Sequence, residues 1–165
     1  MARWARIASA PTHEVSEDGQ VRGLARAMVR SDGSTLTVPS RLLSVSRDGD
    51  GYRYVHLPFG RAYVSVLILE NFVGPRPFPG AMARHLDDNR NHDYLPNLAW
   101  GTAAQNVADS VRNGTHNMAR KTHCPRNHEY SEENTLIVVR NGCEERICRK
   151  CKRLRERQAR RRRTL

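Results

Sequence analysis

Three side chains in the middle of the chain have the types and spacing of a hydrolytic centre. His85, Asn97 and Asn106 follow one another at intervals of twelve and nine residues. An imidazole can take a proton from water, and an amide oxygen is a hard donor suited to a divalent cation such as Mg²⁺. A second group lies further on. Cys124 and His128 (C-x3-H) are separated by nineteen residues from Cys148 and Cys151 (C-x2-C). Two close pairs of nitrogen and sulfur donors joined by a strand-forming segment are what tetrahedral Zn²⁺ requires. In so small a segment the metal would replace a hydrophobic core that cannot otherwise form. Cys143 fits neither pair and is read as the odd thiol. Readings with Cys143 or His123 as a ligand, or with the cysteines as unmetallated packing residues, compete with this one.

The elements that must position these groups can be read in outline. Ala81–Leu86 forms a strand ending at His85, Asp87–Asp93 a polar loop, and Leu95–Trp100 a second extended piece carrying Asn97. Thr102 is an N-cap for a helix over Ala103–Arg112, which closes at Asn113-Gly114 and carries Asn106 one turn in. A hairpin followed by a helix can bring a strand-end imidazole and a first-turn amide to one cleft. Upstream, the turn signals Asp18-Gly19, Asp32-Gly33, Asp48-Gly49 and Asp50-Gly51 separate strand-like segments at Gln20–Leu24, Thr35–Val38 and Tyr52–Leu57, as in a small antiparallel meander. Tyr63–Phe72 is apolar on most sides, a buried helix or a strand, with the helix favoured. Residues 74–80 contain three prolines and make a linker or corner. Beyond Cys124, Thr135–Val139 reads as a strand, Asn141-Gly142 as a turn, and Lys152–Arg163 as a basic helix or a disordered arm.

At His85-Leu-Asp, Asn97-Leu-Ala-Trp-Gly-Thr, Asn106 and Asn113-Gly-Thr-His116 the sequence resembles the HNH endonucleases, in particular their phage-encoded branch. Trp4-x-x-Ile7 and His13-Glu-Val-Ser16-x-x-Gly19-x-Val21-Arg22 resemble the modular DNA-binding motif at the front of many such nucleases. The Thr122-His-Cys-Pro opening matches zinc modules that follow the core in the same proteins. The resemblance implies an α+β chain in four parts: a β-rich N-terminal motif plus helix (1–73), a ββα-metal core (74–117), a zinc-ribbon or knuckle module (118–151) and a basic arm (152–165). It implies metal-dependent hydrolysis of DNA phosphodiesters, by nicking or by double-strand cleavage. His85 would be the general base, Asn97 would hold the loop and orient the base, and Asn106 would bind Mg²⁺ or Mn²⁺. His85 must be neutral to act, so acid is expected to inactivate the protein. Many members carry Asp, His or Asn immediately before the base as a second metal ligand, where this chain has Arg84. A guanidinium cannot bind a cation but can clamp a phosphate. Water, substrate oxygens, Asp87 or His116 would then complete the cation's shell. His116 is a ligand, a phosphate contact or a structural residue at the helix exit. Asp88 is read as a loop-capping carboxylate, Trp100 as hairpin core, and His92 and His123 as solvated.

Charge supports a polyanionic partner. The 165 residues include 28 Lys+Arg against 17 Asp+Glu, a formal net charge of +11. Residues 118–165 hold 15 of the basic and 6 of the acidic side chains, which leaves the first 117 residues nearly neutral. Arg149, Lys150, Lys152 and Arg153, with Arg84, are the candidate DNA contacts, and the Arg160–Arg163 run adds affinity without sequence readout. No apolar run approaches the ~20 residues of a membrane-spanning helix, and no apolar block follows the basic N-terminus. The expectation is an intracellular protein without a membrane partner, acting in the cytoplasm of a bacterial host and encoded by a phage or mobile element. The alternative is a non-catalytic, zinc-containing DNA-binding protein on a degenerate HNH scaffold. A ribosome-associated zinc ribbon would need no ordered His85/Asn97/Asn106 set.

Overall fold

Short strands separated by tight turns occupy the first sixty-three residues. They are β1 (Trp4–Arg6), β2 (His13–Ser16), β3 (Val21–Gly23), β4 (Arg26–Val29), β5 (Thr35–Val38), β6 (Arg41–Leu42), β7 (Ser46–Arg47), β8 (Arg53–Leu57) and β9 (Gly60–Tyr63). The computed structural model describes residues 2–140 and 143–163, with Cys143 described by its backbone alone; the Asn141-Gly142 turn lies outside the described residues. Asp32 and Asp48 close their turns by accepting backbone N–H groups two residues on. β1, β2, β3 and β6 make one antiparallel sheet and β7, β8 and β9 another, while β4 and β5 pair only with each other as an exposed ribbon.

Strand alternation turns Val15, Val21, Val55, Leu57 and Ala62 inward, where they meet α1 (Val64–Phe72). A nine-residue helix is too short to stand alone. Burial of Val64, Leu67, Ile68 and Leu69 holds it, each contributing roughly 1.5–3 kcal/mol. The helix begins at Val64, not Tyr63, because Tyr63 completes β9 opposite Tyr54.

The hairpin follows as β10 (Met82–His85) and β11 (Leu98–Gly101), then α2 (Ala103–Arg112). Leu95–Asn97 is a 3₁₀ turn and not part of the extended piece, since Pro96 fixes φ and supplies no N–H for a ladder. Asn97 therefore closes the turn that enters β11. Thr102 caps α2 through a reciprocal box with Gln105.

The chain divides into two units, residues 1–113 and 114–165. In the first, one core runs from Ile7 to Leu98, crossing the boundary expected at residue 73. The second contains α3 (Asn117–Arg120), the hairpin β12 (Thr135–Arg140) and β13 (Cys143–Cys148), and α4 (Arg149–Arg163). Of helix and disordered arm, the helix is found; it begins before Cys151, so the boundary expected at 151/152 falls inside it. Among the described residues no helix is long and apolar enough to cross a membrane.

Candidate active site and metal centre

His85 ends β10 opposite Leu98 of β11. The loop between them is tied down by Asn97, a buried amide. Its Oδ1 accepts from Asp87 N–H at 3.1 Å, and its Nδ2 donates to Asp87 Oδ1 and to the His92 carbonyl, both at 2.9 Å. Asp87 also receives the Asn89 N–H and stands 2.5 Å from His92 Nδ1. Desolvation pulls the Asp87 carboxyl upward, but these hydrogen bonds outweigh it and hold it at about 2. His92, read as solvated, is at the surface but engaged by this carboxylate.

His85 is 5% exposed, and its Nε2 lies 2.8 Å from Asp93 Oδ1, itself buried. An ionised carboxylate only accepts, so in the neutral imidazole Nε2 carries the proton and Nδ1 the lone pair. The Asp93 carboxylate is balanced by Arg53, whose Nη1 stands 3.5 Å from Oδ2. Arg53 in turn donates to the carbonyls of Gly19 and Asn91. Gly19 has φ +83°, and a Cβ there would collide with the Asp93 carbonyl oxygen. The Glu17 carbonyl accepts the Leu95 N–H at 2.7 Å. The β2–β3 turn thus holds the segment that orients the imidazole. Asp93 and Arg53 carry no local spacing that marks them as site residues, and Gly19 reads from sequence only as a turn and motif residue.

Arg84, expected to contact phosphate, is buried instead. Its guanidinium is ion-paired with Asp109 of α2, and Asp109 also accepts from Arg112 at 2.7 Å. An arginine enclosed between strand and helix must find a carboxylate, and Asp109 is the one within reach. The side chain passes over Gly101, where any Cβ would clash with it and stand 2.6 Å from Gln105 Oε1. Asn106 precedes Asp109 by three residues, so the two share one face of α2. The Arg84–Asp109 pair sets the register in which that face meets β10.

A divalent cation finds few donors here. Asp87, Asp93 and Asp109 are each engaged by protein partners, and Arg84, itself a cation, is paired with Asp109. Among the described residues no cluster of His, Cys, Asp or Glu with metal-ligating spacing forms beside His85. Asn106 is half-buried on α2, and a cation beside His85 would need oxygens from a bound phosphate. His116, in the second unit, caps α3 by accepting the Ala119 N–H at 3.2 Å. Trp100 packs on the core and donates to the Gly74 carbonyl.

The second unit holds a different centre. The ligating atoms of Cys124, His128, Cys148 and Cys151 all lie within 4.8 Å of one another. Cys124 Sγ is 3.5 Å from His128 Nδ1 and 3.7 Å from Cys151 Sγ, and His128 Nδ1 is 3.3 Å from Cys151 Sγ and 3.7 Å from Cys148 Sγ. Ligands of tetrahedral zinc are separated by about 3.5 Å for sulfur–nitrogen and about 3.8 Å for sulfur–sulfur pairs, given bonds near 2.0 and 2.3 Å. The donor set and its spacing fit zinc. Asn134, which sequence reasoning passed over, braces the site. Its amide donates to Cys148 Sγ at 3.4 Å and its Oδ1 accepts the Lys150 N–H. Burial opposes ionisation of Cys148, yet hydrogen bonds from the Cys151 N–H, Asn134 and the neighbouring thiols hold it at about 6. Cys151 is pushed up to about 11 by desolvation and by Cys124 and Cys148. Sulfurs this close ionise together only around a cation. From this centre α4 runs outward with ten Lys and Arg against Glu156 alone, and Arg149, Lys150, Lys152 and Arg153 are all exposed.

Compared with protein-family models and with curated proteins, the sequence matches none. Among solved structures it is similar to one reporting DNA binding and cleavage by the HNH homing endonuclease I-HmuI, with 23% identity and a TM-score of 0.53 over 93% of this chain and 82% of that one. The chain is an α+β protein whose fold is similar to that of an HNH homing endonuclease.

Proposed function

We propose that the protein is a metal-dependent DNA endonuclease of the HNH type. The observation that carries this reading is the buried His85–Asp93 pair at the end of a hairpin braced against a helix. Asp93 keeps the proton on Nε2, leaving Nδ1 to take one from a water molecule that attacks phosphorus. Asn97 holds the loop so that the imidazole cannot swing away. Asn106, with phosphate oxygens of the substrate, would hold Mg²⁺ or Mn²⁺, which supplies charge stabilisation for the phosphorane-like transition state and the leaving 3′-oxygen. In this reading residues 1–73 bind DNA, 74–117 cut it, 118–151 are stapled by zinc, and 152–165 extend a basic arm along the backbone. Arg149, Lys150, Lys152 and Arg153 neutralise phosphates. The setting is the cytoplasm of a bacterium carrying a phage or mobile element.

Incubation with supercoiled plasmid and Mg²⁺ or Mn²⁺ tests this, beside His85→Ala. The wild type is expected to nick or linearise the plasmid, and the variant to lose at least about 10²-fold in rate. Equal cutting by both proteins would remove His85 from its role. One observation favours a second reading: Arg84 occupies the place of a cation ligand and is locked to Asp109. Intact DNA binding without cleavage under any divalent cation would make the protein a non-catalytic DNA binder.

A further inference from the structure

A row across the first sheet creates a cationic pocket that the hydrolytic chemistry does not use. His13 of β2 pairs with Gly23 of β3, and Gly23 pairs with Arg41 of β6. Residues directly opposite one another project from the same face, so the missing side chain at Gly23 leaves a gap between an imidazole and a guanidinium. A Cβ at Gly23 would stand 3.7 Å from His13 Cδ2 and Nε2 and 4.0 Å from Leu43 Cδ1, which is ordinary contact. Its φ is not left-handed, so the backbone does not call for glycine. The gap opens into a cavity of about 160 Å³, which Arg26 enters from the base of the ribbon and His56 from β8.

No carboxylate lines this cavity. Among the described residues the side chains of Arg26 and Arg41, both in strands, make no ion pair or hydrogen bond. Several arginines of the same unit are paired with carboxylates, Arg3 with Glu17, Arg22 with Glu14, Arg53 with Asp93 and Arg84 with Asp109, whereas Arg26 and Arg41 are not. Burial, and after it the nearby Arg26 charge, push the His13 pKa below its ordinary value, so Arg26 stands close enough to the imidazole to act on it. Guanidinium forks beside imidazole donors match phosphate oxygens.

We infer that this pocket receives a backbone phosphate of DNA, away from the bond that is cut; the inference rests on the nucleic-acid reading above. Its distance suits a shared duplex. His56 lies four residues along the chain from Tyr52, whose ring centroid is 6.1 Å from that of His85. Four extended residues span about 13 Å, or about four base-pair steps at 3.4 Å each. A separation of that order is within the length of one duplex.

Two variants separate a built site from loose positive charge. Gly23→Val fills the gap and leaves the net charge unchanged, whereas Arg26→Gln/Arg41→Gln removes the donors. Fluorescence anisotropy with a labelled duplex of about 25 base pairs, without divalent cation, gives the slope of log K against log salt between about 50 and 200 mM. One phosphate contact is worth about 0.9 in that slope, so both variants are expected to lose about 0.9. Imidazole resonances of His13 in the wild type are expected to shift on DNA titration, a readout that does not depend on any variant folding. An unchanged slope and affinity in folded Gly23→Val, or His13 resonances that stay still while DNA binds, overturns the inference. A shift with inorganic phosphate alone but none with DNA overturns it as well. Binding and resonance shifts do not require cleavage. A protein that passes these tests but never cuts keeps the pocket and loses the nuclease reading; one that cuts, yet binds equally well as Gly23→Val, does the reverse.

Discussion

Replacing Asp93 by asparagine tests how the general base is set. The wild-type carboxylate accepts the Nε2 proton of His85 at 2.8 Å through Oδ1, and presents Oδ2 to the Arg53 guanidinium at 3.5 Å. Asparagine has the same shape but one oxygen and one NH₂. Arg53, donor only, selects the oxygen for its own side, which turns the NH₂ toward His85. Nε2 must then accept, the proton moves to Nδ1, and the lone pair that would receive a proton from water is gone. Loss of a positioned general base costs about 10²- to 10⁴-fold, or roughly 3–5.5 kcal/mol at 1.36 kcal/mol per decade. The assay is single-turnover nicking of supercoiled plasmid with Mg²⁺ or Mn²⁺, alongside thermal melting followed by tryptophan fluorescence to show that the variant is folded. ¹⁵N spectra of the His85 ring are expected to show an Nε2-bound proton in the wild type and an Nδ1-bound proton in Asp93→Asn. Adding Arg53→Gln frees the amide to turn back and is expected to recover part of the rate. A folded Asp93→Asn that cuts at the wild-type rate, with the ring proton on Nε2, would refute the reasoning.

Asp109→Leu leaves Arg84 buried without a partner, at a cost of about 3–5 kcal/mol. For the 113-residue unit this lowers Tm by roughly 13–21 °C at about 2.1 cal/mol/K per residue, and Arg84→Met/Asp109→Leu is expected to recover most of it. Trp4 and Trp100 both lie in this unit and report its melting. Asp87, whose carboxyl is held at about 2 against an ordinary 3.8, contributes stability that is present above the ordinary value and lost as pH falls toward 2. Asp87→Asn is therefore expected to shift the urea midpoint at neutral pH, with the difference shrinking between about pH 4 and pH 2; a constant difference would count against the assignment. Elemental analysis is expected to find about one zinc per chain, and chelation or Cys148→Ser to unfold residues 114–165 by circular dichroism while tryptophan melting of the first unit is unchanged. With the carboxylates around His85 already committed, calorimetric titration of the zinc-loaded protein with Mn²⁺ is expected to show a second site no tighter than about 1 mM until DNA is added.

Residue types close together in the chain carried their structural meaning with them. Thr102 and Gln105 are three apart, so the capping box and the start of α2 follow from local geometry. Cys124 with His128, and Cys148 with Cys151, are each within one turn, and their donor types leave few chemistries open. The hairpin-and-helix outline around His85 and Asn106 was legible for the same reason, apart from the turn that Pro96 imposes at Leu95–Asn97. Only the tertiary structure decided which carboxylate serves which partner. Asp87, Asp88 and Asp93 are alike as letters in one loop, yet closure of the loop over Asn97, against a turn some seventy residues earlier, assigns His85 to Asp93. Arg84 reads as a phosphate clamp until α2 settles on β10 and brings Asp109 to it from twenty-five residues away. Gly23 reads only as one residue of a strand-like segment until β2 and β6 flank it with His13 and Arg41. Propensity and capping act over a few residues, whereas ion pairing depends on which surfaces a shared core presses together, and that core spans residues 7 to 98.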